Sequence, residues 1–503
     1  MKKTILFGLL IFLSLMCTKV IAQTNVSGPY FTNTIWSLSG SPYNLTGDVQ
    51  IPNGVSLTIE PGVQINFNSD YEILIKGTLV ANGTNNFPII FNGNFSGKSM
   101  LLFKSTNLSN SQLSHVKFIG PKNAFQLANE SEFNEDLIKN FGTLLVSNIV
   151  LTNTKVQSKG YQSTANLIIE NAIISGTTIK GVYPRSEKIK VKNSTINNSL
   201  INSDSYNYGI IIDECIIGNT QLSIGCCGAN IEIIKSELTD SYIIDGHGDA
   251  NGPIIIKDSK INNTPINLPV ARLEISESEI NYNTSNGLIF GNGKFECSQI
   301  TGNNIGTAIK ITGGGYMWGN FVMTNSTIKN NSIGLEITNS NIVTIDNSNF
   351  YDNTTYNIQN KSSKNITAIN NWWGTTNTTA INNSIYDYYD NINLGQVDYT
   401  NYRLLIKDIT NCSSSLNIRN FENSTLFDGA SIFPNPNLGI VNIDLKNLKD
   451  VTIKVFSVNG QMIYYKENIN VLTYQFKLNE PSGLYIIELS SQGQRQYYKL
   501  MKM

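Results

Sequence analysis

The sequence predicts an all-β chain: a long solenoid of stacked parallel strands with caps at both ends, then a small β-sandwich. Three observations predict it. An apolar pattern of period two recurs about every 21 residues through the middle of the chain. Asparagine supplies 70 of the 503 residues, while only 15% are charged, against about 25% in an ordinary soluble domain. Residues 429–503 carry short alternating runs around an Asn-Gly turn, the strongest local hairpin signal.

Composition narrows the function classes. At 40% hydrophobic residues the chain folds rather than staying disordered. A formal charge of −1 leaves no electrostatic footprint for nucleic acid. The two histidines, His115 and His247, lie far apart in sequence. They argue against a multi-histidine metal site and against Ser-His-Asp chemistry. No cofactor is expected.

The N-terminus reads as a secretory leader. Lys2 and Lys3 form a basic start, and Ile5 to Met16 is an apolar run shorter than the roughly 20 residues that span a bilayer. Val20-Ile21-Ala22 places small residues before Gln23, so cleavage is expected between Ala22 and Gln23. A lipoprotein reading would use Cys17, but Met16 is too large for the preceding position. No later stretch is apolar enough for a membrane span, so none is expected in the mature chain. The remaining cysteines, Cys215, Cys226, Cys227, Cys297 and Cys412, are odd in number and irregularly spaced. One of the vicinal pair Cys226-Cys227 could bridge to Cys215 or Cys297, but there is no disulfide framework and no CxxC zinc motif.

The solenoid rests on repeats. A small residue followed two positions later by an apolar one recurs as Ser194/Ile196, Cys215/Ile217, Ser236/Leu238, Ser259/Ile261, Ser278/Ile280, Ser298/Ile300, Ser326/Ile328 and Ser348/Phe350. Three residues before each anchor lies a second apolar column, from Val191 and Ile212 to Met323 and Ile345. Five before lie Ile189, Ile210, Ile231, Ile254 and Leu273. Alternation of period two is a strand. One such unit cannot bury its apolar face alone, so the units stack, like on like. Asparagine tolerates left-handed turns and can bond its copy in the next rung, which accounts for its excess.

This pattern resembles the right-handed parallel β-helix proteins, the family that includes pectate lyases, over roughly residues 45–375. The segment Gly54 to Val63, then Lys76 to Thr84, looks like the opening rungs of secreted bacterial β-helices. Asn370-Asn371-Trp372-Trp373-Gly374, with Ile385 to Asp390 and Leu394-Gly395, resembles the segment that closes them. Trp372 and Trp373 read as cap residues, with glycan stacking as the second reading. The solenoid with its caps is assigned to 23–402 and a polar linker to 403–428.

Residues 429–503 resemble the type A C-terminal sorting domain of type IX secretion. The resemblance is carried by Phe433-Pro434-Asn435-Pro436 with Gly439, by Val458-Asn459-Gly460, by Pro481-Ser482-Gly483-Leu484-Tyr485 and by the ending Lys499-Leu500-Met501-Lys502. It implies the type IX machinery as a partner, and a secreted or outer-membrane surface location in a Gram-negative bacterium.

The chemistry of the solenoid is read from its outward positions. Lys190, Lys192, Glu232, Lys257 and Glu274 fall on consecutive rungs and are the candidate glycan-facing residues, with Arg185 in a nearby loop. A lyase would need a base and a neutralising group at a uronate. These residues alternate in sign, as solvated stacks that pair across rungs do. Asp213 and Asp258 look isolated in the outward columns, which weakens a hydrolase that needs grouped carboxylates. His115 reads as a structural residue within a strand, and His247 as a loop residue. Glu130, Glu132, Glu135 and Asp136 form a candidate calcium site, with a solvated loop as the preferred reading. Two functions stay open: a non-catalytic glycan-binding or adhesin-like protein with a polysaccharide, host or biofilm surface as partner, which is preferred, and a polysaccharide lyase or related carbohydrate-active enzyme.

Overall fold

The computed structural model describes residues 23–409 and 430–502, apart from 94–96, 105–107, 121–122, 129–138, 160–162, 183–187, 204–208, 226–229, 246–251, 283–285, 314–319, 340–341, 447, 458–461 and 492–493. The leader and most of the proposed linker fall outside the described residues. The chain divides near residue 413 into two compact units.

The first unit is a parallel β-helix with three faces. One rung shows the plan: Lys188–Lys192 lies on the first face, Thr195–Asn197 on the second and Leu200–Ser203 on the third. Each strand pairs in parallel with its equivalent one rung later, at Ile210–Asp213, Ile216–Gly218 and Gln221–Ile224. Pairing of this kind begins at Thr24–Pro29, well before the segment that resembled the opening rungs. It ends at Val397–Asp398.

Each face contributes to the core, and the first does so with two inward columns, one of them through Ile189, Ile210, Ile231 and Ile254. The first face also stacks Ile169, Val191, Ile212, Ile233, Ile256 and Ile275 in register. The second stacks Ile174, Ile196, Ile217, Leu238, Ile261 and Ile280. The third stacks Ile179, Ile201, Leu222 and Ile243. All of them are buried. Burial of each such side chain stabilises by about 1.5–3 kcal/mol, with cover from the other faces and from the rungs above and below. Toward the N-terminus the filling turns aromatic, with Phe91 stacked on Phe118 at 5.0 Å.

Two corners of the rung are tight. Asn193 and Asn198 adopt left-handed backbone with φ of 46° and 49°. The same conformation recurs at Asn171, Asn219, Asn263, Asn325 and Asn347. The amides stack: Asn193 Nδ2 donates to Asn171 Oδ1 at 2.6 Å, and Asn219 Nδ2 to Asn198 Oδ1 at 2.7 Å. The third corner, after the third-face strand, varies in length from rung to rung.

The small-residue anchors sit just past the first corner, and they are buried. The Ser236 N–H donates to Ser259 Oγ at 3.1 Å, that of Ser259 to Ser278 Oγ at 3.1 Å, and that of Ser278 to Ser298 Oγ at 3.0 Å. Each hydroxyl donates in turn to the carbonyl two residues back, as Ser259 Oγ does to Lys257 O at 2.7 Å. A second hydroxyl ladder follows the second corner through Thr177, Ser199, Thr220, Ser241 and Thr264.

A cap closes the C-terminal end. Trp373 is buried and stacks on Phe350 at 5.4 Å. A short helix, Thr378–Asn383, is N-capped by the Asn377 side chain and leads into the last third-face strand, Ile385–Tyr386. At the other end Trp36 is buried and stacks on Tyr43 at 4.8 Å.

The second unit pairs a three-stranded antiparallel sheet (Ser431–Phe433, Ile440–Asp444, Thr473–Lys477) with a four-stranded one (Val451–Ser457, Met462–Ile469, Gly483–Ser491, Gln494–Lys502). Val441, Ile443, Val455, Ile487 and Leu500 are among its core residues. The ending Lys499 to Lys502, read from sequence as a basic tail motif, is part of the last strand.

Corner chemistry sets a measurable cost. Asn193→Val puts a β-branched residue in left-handed backbone and removes the amide bond to Asn171. We expect a loss of about 1–2 kcal/mol in urea unfolding. Lys235→Asn, at a corner with φ of 49°, is expected to gain a few tenths of a kcal/mol, roughly the propensity difference at such a corner.

Candidate functional site

The outward positions of the first face form two neighbouring columns. One runs Ile168, Lys190, Ile211, Glu232, Ile255, Glu274 and Lys294. The other runs Glu170, Lys192, Asp213, Ile234, Lys257, Ser276 and Glu296. The five candidate residues thus share one face, with Lys190, Glu232 and Glu274 in one column and Lys192 and Lys257 in the other. They are not consecutive neighbours: Ile211 and Ile255 separate Lys190, Glu232 and Glu274, while Asp213 and Ile234 lie between Lys192 and Lys257. The charges also pair within the face. Lys190 Nζ reaches diagonally to Asp213 Oδ2 at 2.9 Å, Arg272 pairs with Glu274 at 2.5 Å, and Lys294 pairs with Glu296.

The second face is more neutral. One of its outward columns reads Ser175, Asn197, Gly218, Thr239, Asn262, Asn281 and Thr301. Within it Asn281 Nδ2 donates to Asn262 Oδ1 at 3.2 Å. Parallel stacking repeats these amides and hydroxyls at about 4.8 Å. The beside-lying column holds Ile173, Thr195, Ile216, Glu237, Lys260 and Glu279. Ile173 and Ile216 stand well exposed in it.

The third face carries one buried acid. Glu336 lies between Lys310, whose Nζ is 2.9 Å from Oε1, and Lys361, whose Nζ is 3.1 Å from Oε2. Burial by itself would raise its pKa. Hydrogen bonds and charge from the two lysines outweigh that and hold the carboxyl below its ordinary value.

Several single-residue readings change. Asp258 is not an outward strand position; it occupies a left-handed corner with φ of 49°. His115 is likewise a corner residue, with φ of 51° and Nδ1 2.9 Å from Ser114 Oγ, so strand alternation misplaced it. Asp213 pairs with a lysine, Lys190. Cys215 is a thiol outside any disulfide. Cys215 fills an anchor position, where burial pushes its thiol up to about 12, and a thiol so rarely ionised is a poor nucleophile. Among the described residues no group of three or more His, Cys, Asp or Glu side chains could hold a metal ion. Arg185, His247, Cys226, Cys227 and the run Glu130 to Asp136 lie outside the described residues.

In the second unit the opening motif grips the last strand. The Met501 N–H donates to Asn435 Oδ1 at 2.8 Å, and Asn437 donates to Met501 O through its backbone N–H at 2.8 Å and through Nδ2 at 2.9 Å. Pro434 and Pro436 both follow cis peptide bonds. Gly439 has φ of 110°, which favours glycine, and its N–H meets Asn437 Oδ1 at 2.8 Å. The Tyr485 hydroxyl donates to Pro481 O at 2.6 Å, ahead of the strand that Gly483 opens. Lys499 pairs with Ile486, and Gly460 lies outside the described residues. The dispersed motif residues therefore mostly meet around one strand end.

Comparison with known proteins agrees with this unit. The family model of the secretion system C-terminal sorting domain matches residues 431–503. The chain is thus a cargo of type IX secretion, secreted or held at the outer-membrane surface. No helix among the described residues is long and apolar enough to cross a membrane. An endo-acting ulvan lyase of Formosa agariphila is 30% identical over 79 residues, which is 16% of this chain and 15% of that enzyme. Among solved structures, the enzymatically active domain of tailspike protein 4 from bacteriophage CBA120 aligns with 91% of this chain and 62% of its own, at 13% identity and a TM-score of 0.24. The tailspike protein of E. coli bacteriophage HK620, in complex with a pentasaccharide, aligns with 97% of this chain and 88% of its own, at 12% identity and a TM-score of 0.21.

The Glu336 cluster makes the solenoid acid-sensitive. A carboxyl held below its ordinary value stabilises fully above that value and loses its contribution as pH falls through the held value. Chemical unfolding from pH 7 down to pH 3 should therefore show a loss that Glu336→Gln removes in part. At pH 7 the substitution should cost about 1 kcal/mol.

Proposed function

We propose that the exported solenoid is a non-catalytic, surface-delivered binder of extended polysaccharide chains, with its outer faces as the contact surface. The observation that carries this reading is the second-face column of amides and hydroxyls from Asn197 to Thr301, repeated at the strand spacing. An extended glycan offers hydroxyls at a regular repeat. A flat ladder of neutral donors and acceptors can meet them one rung at a time, each bond contributing about 0.5–1.5 kcal/mol net. The first face supports binding over catalysis in a different way: Lys190 is paired with Asp213, Arg272 with Glu274 and Lys294 with Glu296. A lyase base must instead reach the proton beside a uronate carboxylate.

The test is to incubate the purified full chain with a panel of uronate polysaccharides, ulvan included, and follow absorbance from unsaturated chain ends. We expect no new absorbance, together with retention of the chain on at least one immobilised polysaccharide that Asn262→Ala with Asn281→Ala weakens. Appearance of unsaturated ends would overturn the non-catalytic reading and favour a polysaccharide lyase.

A further inference from the structure

The C-terminal cap holds a cleft of about 900 Å³, apart from the three faces and within the size range of small-ligand sites. It is built from the turn between the last third-face and first-face strands, the end of the short helix, and the chain that follows Val397–Asp398. Tyr389, Tyr399 and Tyr402 supply aromatic wall, Asn382, Asn383 and Gln396 supply amides, and the carboxylates of Asp387, Asp390 and Asp398 also line it.

The walls are held in place before any ligand arrives. Tyr399 packs edge-on against Trp373 at 6.2 Å, and Trp373 stacks on the end of the solenoid core. The Tyr399 hydroxyl donates to Asn382 Oδ1 at 2.6 Å. The buried Asp387 carboxylate accepts the Val397 N–H at 2.7 Å and the Tyr389 N–H at 3.0 Å, which ties the turn to the strand it precedes. Gln396 Nε2 donates to the Tyr389 hydroxyl at 3.1 Å. Yet the Tyr389 side chain is 76% exposed. An aromatic ring steadied through its hydroxyl, with so much of its surface open, is a stacking platform.

The polar groups select the ligand. Asp390 Oδ2 accepts the Asp387 N–H, and Asp398 Oδ1 accepts the Thr400 N–H. Each carboxylate keeps its other oxygen for a donor. Lysine and arginine are absent from the lining, so a uronate or sulfated chain would bring negative charge against uncompensated carboxylates. Aromatic surface, amides and carboxylate acceptors together suit the apolar faces and hydroxyls of a neutral sugar.

We propose that this cap cleft is a second binding site, one that takes a short stretch of neutral oligosaccharide, with Tyr389 as the stacking residue and Asp398 as a hydroxyl acceptor. It does not depend on the solenoid faces being the main contact surface.

Calorimetric titration of the full chain tests it, with cellohexaose, mannohexaose and a β-galactohexaose as neutral probes. A galacturonate hexamer and a lysine-rich hexapeptide serve as charged probes. At least one neutral hexamer should bind, and Tyr389→Ala should weaken it by about tenfold, the upper range for an aromatic contact. Asp398→Asn should weaken it severalfold, while the face variant Asn262→Ala with Asn281→Ala should leave it unchanged. Both cap side chains are exposed, and circular dichroism checks that the variants fold. The proposal is overturned if no neutral hexamer binds, if both cap variants bind as well as the parent, or if only the galacturonate or the basic peptide binds. Loss in the face variant alone would also overturn it while supporting the solenoid-face reading.

Discussion

The structure depends on how a buried corner satisfies its backbone. Each rung turns through left-handed conformation at Asn193, Asp258 and their equivalents, and the next residue must bury an N–H beside the core. An unpaired buried N–H costs about 1–3 kcal/mol. The anchor hydroxyl of the following rung accepts that N–H, and its own proton goes to the carbonyl two residues back. One small side chain per corner thus closes two backbone requirements and links two rungs. Ser, Thr and Cys fit because they are short. Larger residues also hold this position near the ends of the coil, Val116 and Ile149 as buried apolar groups and Asn371 with its Oδ1 accepting the Ser348 N–H at 2.7 Å, whereas alanine offers no acceptor.

From this follows what the outside can present. The corners hold successive rungs in register, so outward positions become columns. Substitutions there alter one step of a column without disturbing the core. The protein uses that freedom unevenly: charges interspersed with isoleucines on the first face, amides and hydroxyls on the second, and a Lys-Glu-Lys cluster on the third. The cap is different. Its chain leaves the repeat, and three tyrosines converge there on one cleft.

Much of this was legible in the sequence, and the remainder has physical reasons. The columns through Ile196 and Val191 were readable because the anchor-to-strand spacing is constant on either side of the first corner. The third-face column of Ile201, Leu222, Ile243 and Ile266 lies at an equally constant seven residues past the anchor. It went unread, along with the Ser199–Thr264 ladder, although both keep a constant offset from the anchor and the variable third corner lies beyond them. Asp258 and His115 were misplaced because a left-handed residue interrupts alternation without changing composition. Asparagine at such corners was expected; Glu214, Lys235 and Glu277 there were not. Residues 387–402 approach one another only through the closing turn, so no spacing rule could announce the cleft. The sorting motif was legible because its residues are fixed by type. That Asn435 and Asn437 grip the last strand is visible only in three dimensions.

Delivery and architecture meet in a simple arrangement. A terminal module addresses the chain for secretion or to the outer-membrane surface, and the coil bears the polar columns. That reading requires the coil to be held by its corner ladder, and the Ser259 amide tests this most directly. Native-state hydrogen exchange and urea unfolding should be compared for the parent, Ser278→Ala and Ser278→Cys. The account predicts that Ser278→Ala loses about 1–3 kcal/mol and loses protection at the Ser259 amide, and that Ser278→Cys, which copies Cys215, retains most of both. Unchanged Ser259 protection and unchanged stability in Ser278→Ala would contradict it.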